Sequence, residues 1–176
     1  MLSESADRAP GSGPAFQTTA ARIGLITGPA IGLALLAQQL SVSVEQWFAG
    51  AALAVGGLCY AGFAAERESA ARSPSEAASA GAIAGLLAGI IAALPVTALL
   101  LALSLNGQFA LYAEDAFRQL DASGLFDGLR SAGWTSAMLA RLGVAIELAC
   151  YGAGLPVAGL LIGAASARVM RGIGRQ

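Results

Sequence analysis

Four long apolar stretches constrain this chain more than any motif in it. Residues 23–40 (IGLITGPAIGLALLAQQL), 47–65 (WFAGAALAVGGLCYAGFAA), 81–105 (GAIAGLLAGIIAALPVTALLLALSL) and 143–167 (GVAIELACYGAGLPVAGLLIGAASA) run to 18, 19, 25 and 25 residues. Glu147 is the only charge in any of them. A helix rises about 1.5 Å per residue, so about 20 apolar residues cross a hydrocarbon core of about 30 Å. Composition agrees: charged residues make up 12% of the 176, about half of what a soluble domain carries. The expected fold is all-α, a multi-pass transmembrane four-helix bundle.

Between and around the runs the chain divides readily. Residues 1–21 are rich in Ser, Ala, Gly and Pro without an apolar period, and they read as a disordered tail leading into an uncleaved first span. Residues 106–142 form the one long segment between runs. There Phe109, Tyr112, Ala116 or Phe117, Leu120, Phe126, Leu129 and Gly133 recur at three- and four-residue intervals, with a break near Gly124 and charges between them. That pattern predicts one or two amphipathic helices lying in the outer interface, with Trp134 at headgroup level, or else a small helical hairpin outside the membrane. Residues 168–176 form a basic tail.

Arginine placement orients the spans. With four crossings, Arg8, Arg22, Arg67, Arg72, Arg168, Arg171 and Arg175 fall on one side, and Arg118, Arg130 and Arg141 on the other. The positive-inside bias then puts both termini in the cytoplasm and the protein in the inner membrane.

Glycines recur every fourth residue at Gly24, Gly28 and Gly32, at Gly81, Gly85 and Gly89, and at Gly159 and Gly163. Residues four apart share a helix face, so each set makes a bare groove. In lipid, close backbone approach replaces the hydrophobic drive that joins helices in water. These glycines are expected to pack the bundle. Pro29, Pro95 and Pro156 each sit inside a run, where a missing N–H predicts a kink.

Glu147 is the candidate functional residue. A charge at the bilayer centre costs roughly 2.5–3.5 kcal/mol on insertion scales. No arginine lies three or four residues away, while Tyr151 shares its helix face and can donate a hydrogen bond to it. Together they read either as an ion- or proton-coupled site or as a solvated carboxylate at the outer interface. Other chemistry has little support. The chain has no His and no Lys, a net charge of −1 and no basic cluster, which argues against imidazole catalysis, Schiff bases and nucleic-acid binding. No phosphate loop, zinc-hydrolase motif or nucleophile elbow occurs, so no catalytic residue, metal or cofactor is expected. Cys59 and Cys150 lie in apolar runs and read as small buried hydrophobes. The partners expected are the lipid bilayer and either further copies of the chain or a larger membrane complex.

Residues 22–54 (RIGLITGPAIGLALLAQQLSVSVEQWFAGAALA) and 94–105 (LPVTALLLALSL) resemble the opening of the divalent anion:sodium symporter family, which pairs an IGLxxGP helix with a later PVTALL segment. The resemblance implies a transporter-like membrane protein. That family's Ser-Asn-Thr motif is absent, so no binding residue is carried over. Two functions remain in view: transport of a solute or ion, and a non-catalytic accessory subunit.

Overall fold

The structure, a computed structural model, describes residues 14–39, 44–69, 71, 73–106 and 127–173. Those residues are helical almost throughout: α1 (Pro14–Gln39), α2 (Val44–Glu68), α3 (Pro74–Leu105), α4 (Asp127–Ser131), α5 (Ser136–Ala149), a π-helical turn (Cys150–Gly154) and α6 (Leu155–Ile173). Four helical segments are long and apolar enough to cross a membrane. The fourth joins α5, the π turn and α6 in one 37-residue rod.

The helices outrun the apolar runs because capping chemistry, not hydropathy, sets their ends. α3 begins at Pro74 instead of residue 81. Ser73 caps it, with the Glu76 N–H donating to Ser73 Oγ (3.1 Å) and the Ser73 N–H donating to Glu76 Oε2 (3.2 Å). Pro74 stands at the first helical position, where its missing N–H costs nothing. α5 begins at Ser136 instead of 143, because Thr135 Oγ1 accepts from the Met138 N–H at 3.3 Å. α1 already starts at Pro14, so part of the expected disordered tail is helix. α6 likewise continues to Ile173, through most of the expected basic tail.

Most of the amphipathic segment, 107–126, lies outside the described residues. Its described remainder holds exposed α4, closed by Gly133 in the left-handed region at φ 87°. The Trp134 N–H donates to the Leu129 carbonyl (3.1 Å) and the Gly133 N–H to that of Arg130 (2.9 Å), a pairing that calls for glycine at 133.

The long helices alternate in direction, so Pro14 and Ile173 lie at one end of the bundle, the proximal end; the other end is distal. α3 is the hub, packing on α1, α2 and α6, while α2 also touches α1 and α6. α1 and α6 therefore occupy the far corners of a rhombus. Two adjacent stripes make α3 suited to its place. Ala84, Ala88 and Ala92 lie under Gly24, Gly28 and Gly32 of α1, while Gly81, Gly85 and Gly89 meet Gly163, Gly159 and Leu155 of α6. Between these seams, Leu58 (1% exposed) and Val96 (0%) are the largest side chains fully enclosed. Large apolar residues such as Leu25, Leu33, Leu53 and Leu161 point outward, an arrangement suited to lipid.

Candidate functional site at the distal end

Toward the proximal end, α3 and α6 meet backbone to backbone. A Cβ on Gly85 would overlap the Gly159 carbonyl, and one on Gly159 would overlap that of Gly85. Gly81 and Gly163 repeat this reciprocity one turn nearer the chain ends, and Gly62 of α2 closes on Gly163 as well. Such approach suits Cα–H···O contacts, worth about 0.5–1 kcal/mol each. All eight glycines singled out in the sequence lie at these seams. Gly50 against Gln38 and Gly57 against Ile31 add a third seam, between α1 and α2. Its signal is weak because these two glycines are seven apart, not four.

At the proximal tip, Arg171 Nη1 donates to the carbonyls of Ala71 (2.6 Å) and Ser73 (2.9 Å). A residue counted in the sequence only for its charge thus ties the end of α6 to the α2–α3 connection.

Polar side chains gather at the other end. Gln38 and Gln39 close α1, and Gln38, 4% exposed, is wedged against Gly50 of α2. Gln39 Nε2 donates to Tyr151 Oη at 2.7 Å. This bond joins the far corners of the rhombus, from the end of α1 to the π turn. Accepting it leaves the tyrosine proton available to another acceptor. Glu147 stands one turn earlier on the same face, half-buried, and among the described residues it has neither ion pair nor hydrogen bond. Thr97 continues the stripe of Gly81, Gly85 and Gly89, which faces α6. Its Oγ1 is buried without a hydrogen-bond partner among the described residues.

No family model, curated protein or solved structure matches the chain. The site therefore has to be read from its own chemistry.

That chemistry is one carboxylate, one phenol, one carboxamide and one hydroxyl beside a broken helix. Pro156 follows the π turn, in which the Leu155 N–H reaches back five residues to the Cys150 carbonyl. π turns inside α-helices occur frequently at functional sites. Of the three prolines, Pro95 packs on Gly32 and Pro156 on Gly89, while Pro29 is exposed. The structure brings Glu147 and Tyr151 to one face and adds Gln39, which sequence spacing could not connect to them. It does not bury the cysteines as expected: Cys59 is half-buried and Cys150 exposed. Cys59 lines a groove between α2 and α6 with Tyr60, Phe63 and Ile162, and Cys150 lies on an outward face of the π turn.

Proposed function

We propose that this is a small inner-membrane protein, both termini cytoplasmic, that takes part in moving an ion or solute and works as an oligomer. One observation carries the reading: Gln39 and Tyr151 hydrogen-bond across the bundle beside Glu147, which is unpaired among the described residues, at a π turn. A desolvated carboxylate is costly in a membrane helix, and such groups mark ion pathways and proton relays. The site can bind and release a proton or a small cation, with Tyr151 and Gln39 as neutral ligands. An oligomer is invoked because, among the described residues, the glycine seams of a single copy bring backbones too close to leave a continuous polar path toward the proximal end. The excess of arginine at the proximal end supports the orientation.

Flux into proteoliposomes of the purified protein, driven by a pH or cation gradient, tests the proposal. Wild type should show gradient-dependent flux, and Glu147→Gln should reduce it at least ~10-fold with the fold intact. Equal flux in the two proteins would exclude Glu147 from the pathway.

A second reading, an accessory subunit of a larger membrane complex, is favoured by those same seams. Inert liposomes together with a stoichiometric partner in mild-detergent pull-downs would support it.

A further inference from the structure

Each long helix carries a proline, a glycine pair or the π turn, and these features fall at a single depth. Facing residues give the register. Gly28 and Gly32 of α1 sit on Ala88–Ile91 and Ala92–Pro95 of α3, so Pro29 stands level with residues 89–92. On α2, Gly57 faces Ile31 of α1, which places the Gly56–Gly57 pair beside residues 91–94 of α3. Pro95 removes the hydrogen bond that the Ile91 carbonyl would accept. On the fourth rod, Gly89 faces Leu155 and Pro156, which puts the π turn at the level of residues 90–95. Every long helix thus carries a proline, a glycine pair or a π turn within about two turns of the others, a slab about 9 Å thick.

Prolines, glycine pairs and π turns are the recognised causes of sharp helix bends. Thr27 adds to the effect on α1 by donating from Oγ1 to the Ile23 carbonyl at 2.9 Å, a back-bond that tends to bend helices. Packing of α3 against the fourth rod changes character across the same slab, while Gly50 on Gln38 keeps the distal parts of α1 and α2 together. Toward the chain ends, α3 and α6 interlock through Gly81, Gly85, Gly159 and Gly163, and Arg171 straps the tip. Beyond the slab α5 packs only lightly on α3, and Gly152 of the π turn has nothing within contact distance of a Cβ position.

We propose that this slab is a hinge plane: the distal arms of the four long helices swing on a rigid proximal base, and the Gln39–Tyr151 bond latches them closed. Opening parts the end of α1 from the π turn and uncovers Glu147 and Thr97; closing restores the bond. The hinge rests on these backbone features and the Gln39–Tyr151 bond, and does not depend on the transport reading. A protein inert in flux can still hinge, and a conducting one can be rigid.

The test uses spin-label pairs in the full-length protein in nanodiscs, on a Cys59→Ala, Cys150→Ser background. Arg22 with Val169 reports the base, and Ala37 with Ile146 the arms; all four positions are exposed. The distal distance distribution should be at least ~2-fold broader than the proximal one, as hinge motion requires. Pro29 is exposed and a Cβ on Gly56 meets nothing within 4 Å, so Pro29→Ala and Gly56→Ala stiffen the helices without a clash. Together they should narrow the distal distribution toward the proximal width and leave the proximal one unchanged. Gly56→Ala alone serves should the pair not fold. Gln39→Ala should broaden the distal distribution further. Equal widths in the wild type, or a broad distal distribution indifferent to stiffening, would overturn the hinge.

Discussion

Gln39 and Arg171 each make a contact that decides how distant segments meet, and neither belongs to a motif. Gln39 reaches Tyr151, 112 residues on. Such bonds contribute about 0.6 kcal/mol on average between membrane helices. A double-mutant cycle of Gln39→Leu and Tyr151→Phe, read by unfolding in detergent, should give a coupling energy of about 0.5–1.5 kcal/mol. Additive losses would mean that the bond does not form. Arg171 donates a charge-assisted pair to the carbonyls of Ala71 and Ser73. Arg171→Ala should cost about 1.5–3 kcal/mol, and raised protease sensitivity around residues 69–73 would report the freed connection. Arg168, exposed one turn earlier, is the control: Arg168→Ala should leave that sensitivity unchanged.

At the scale of the element, glycine carries two opposite meanings that only neighbours distinguish. Gly85 lies where a methyl group would strike the Gly159 carbonyl. Relief requires α3 and α6 to part, so Gly85→Ala should destabilise by about 1–3 kcal/mol. Gly56 is open on every side, and Gly56→Ala should be neutral or stabilise by up to about 1 kcal/mol through backbone entropy. Melting curves in one detergent decide between them; equal shifts would contradict the seam. Helix ends show the same limit on reading from hydropathy. The Ser73–Glu76 capping box stands in plain view in SPSE, yet hydropathy alone starts α3 at residue 81, seven residues too late. Polar first and last turns lie beyond the apolar window although their backbone bonds are as regular as any other.

For the whole molecule, four alternating helices long enough to cross a membrane bring Pro14 and Ile173 to one end, and the arginine excess flanking that end is the basis of the proposed cytoplasmic orientation. A fluorescent reporter fused after Gln176 should fold and emit, and an alkaline phosphatase fused after residue 125 should be active in the periplasm. The reverse pattern would invert the orientation and place Glu147 toward the cytoplasm. The same topology explains why the polar cluster is distal. α1 ends and α5 begins there, so Gln39 and Glu147, 108 positions apart, arrive at one depth.

Apolar length and charge sparsity were enough, in one dimension, to determine an all-α fold with four membrane-long helices, since no other structure satisfies so many backbone groups in lipid. The glycine spacings marked which faces are bare, and Glu147 and Tyr151 shared a face by helical period alone. Three-dimensional packing decided the rest: which bare face meets which neighbour, that α3 is the hub, that Gln39 completes the polar cluster, and that the prolines, glycine pair and π turn of the four rods share a level. Period describes a face within one helix, whereas depth and partner depend on how each rod slides and turns against the next. A glycine groove fits many partners, and only the simultaneous fit of all four helices selects one register.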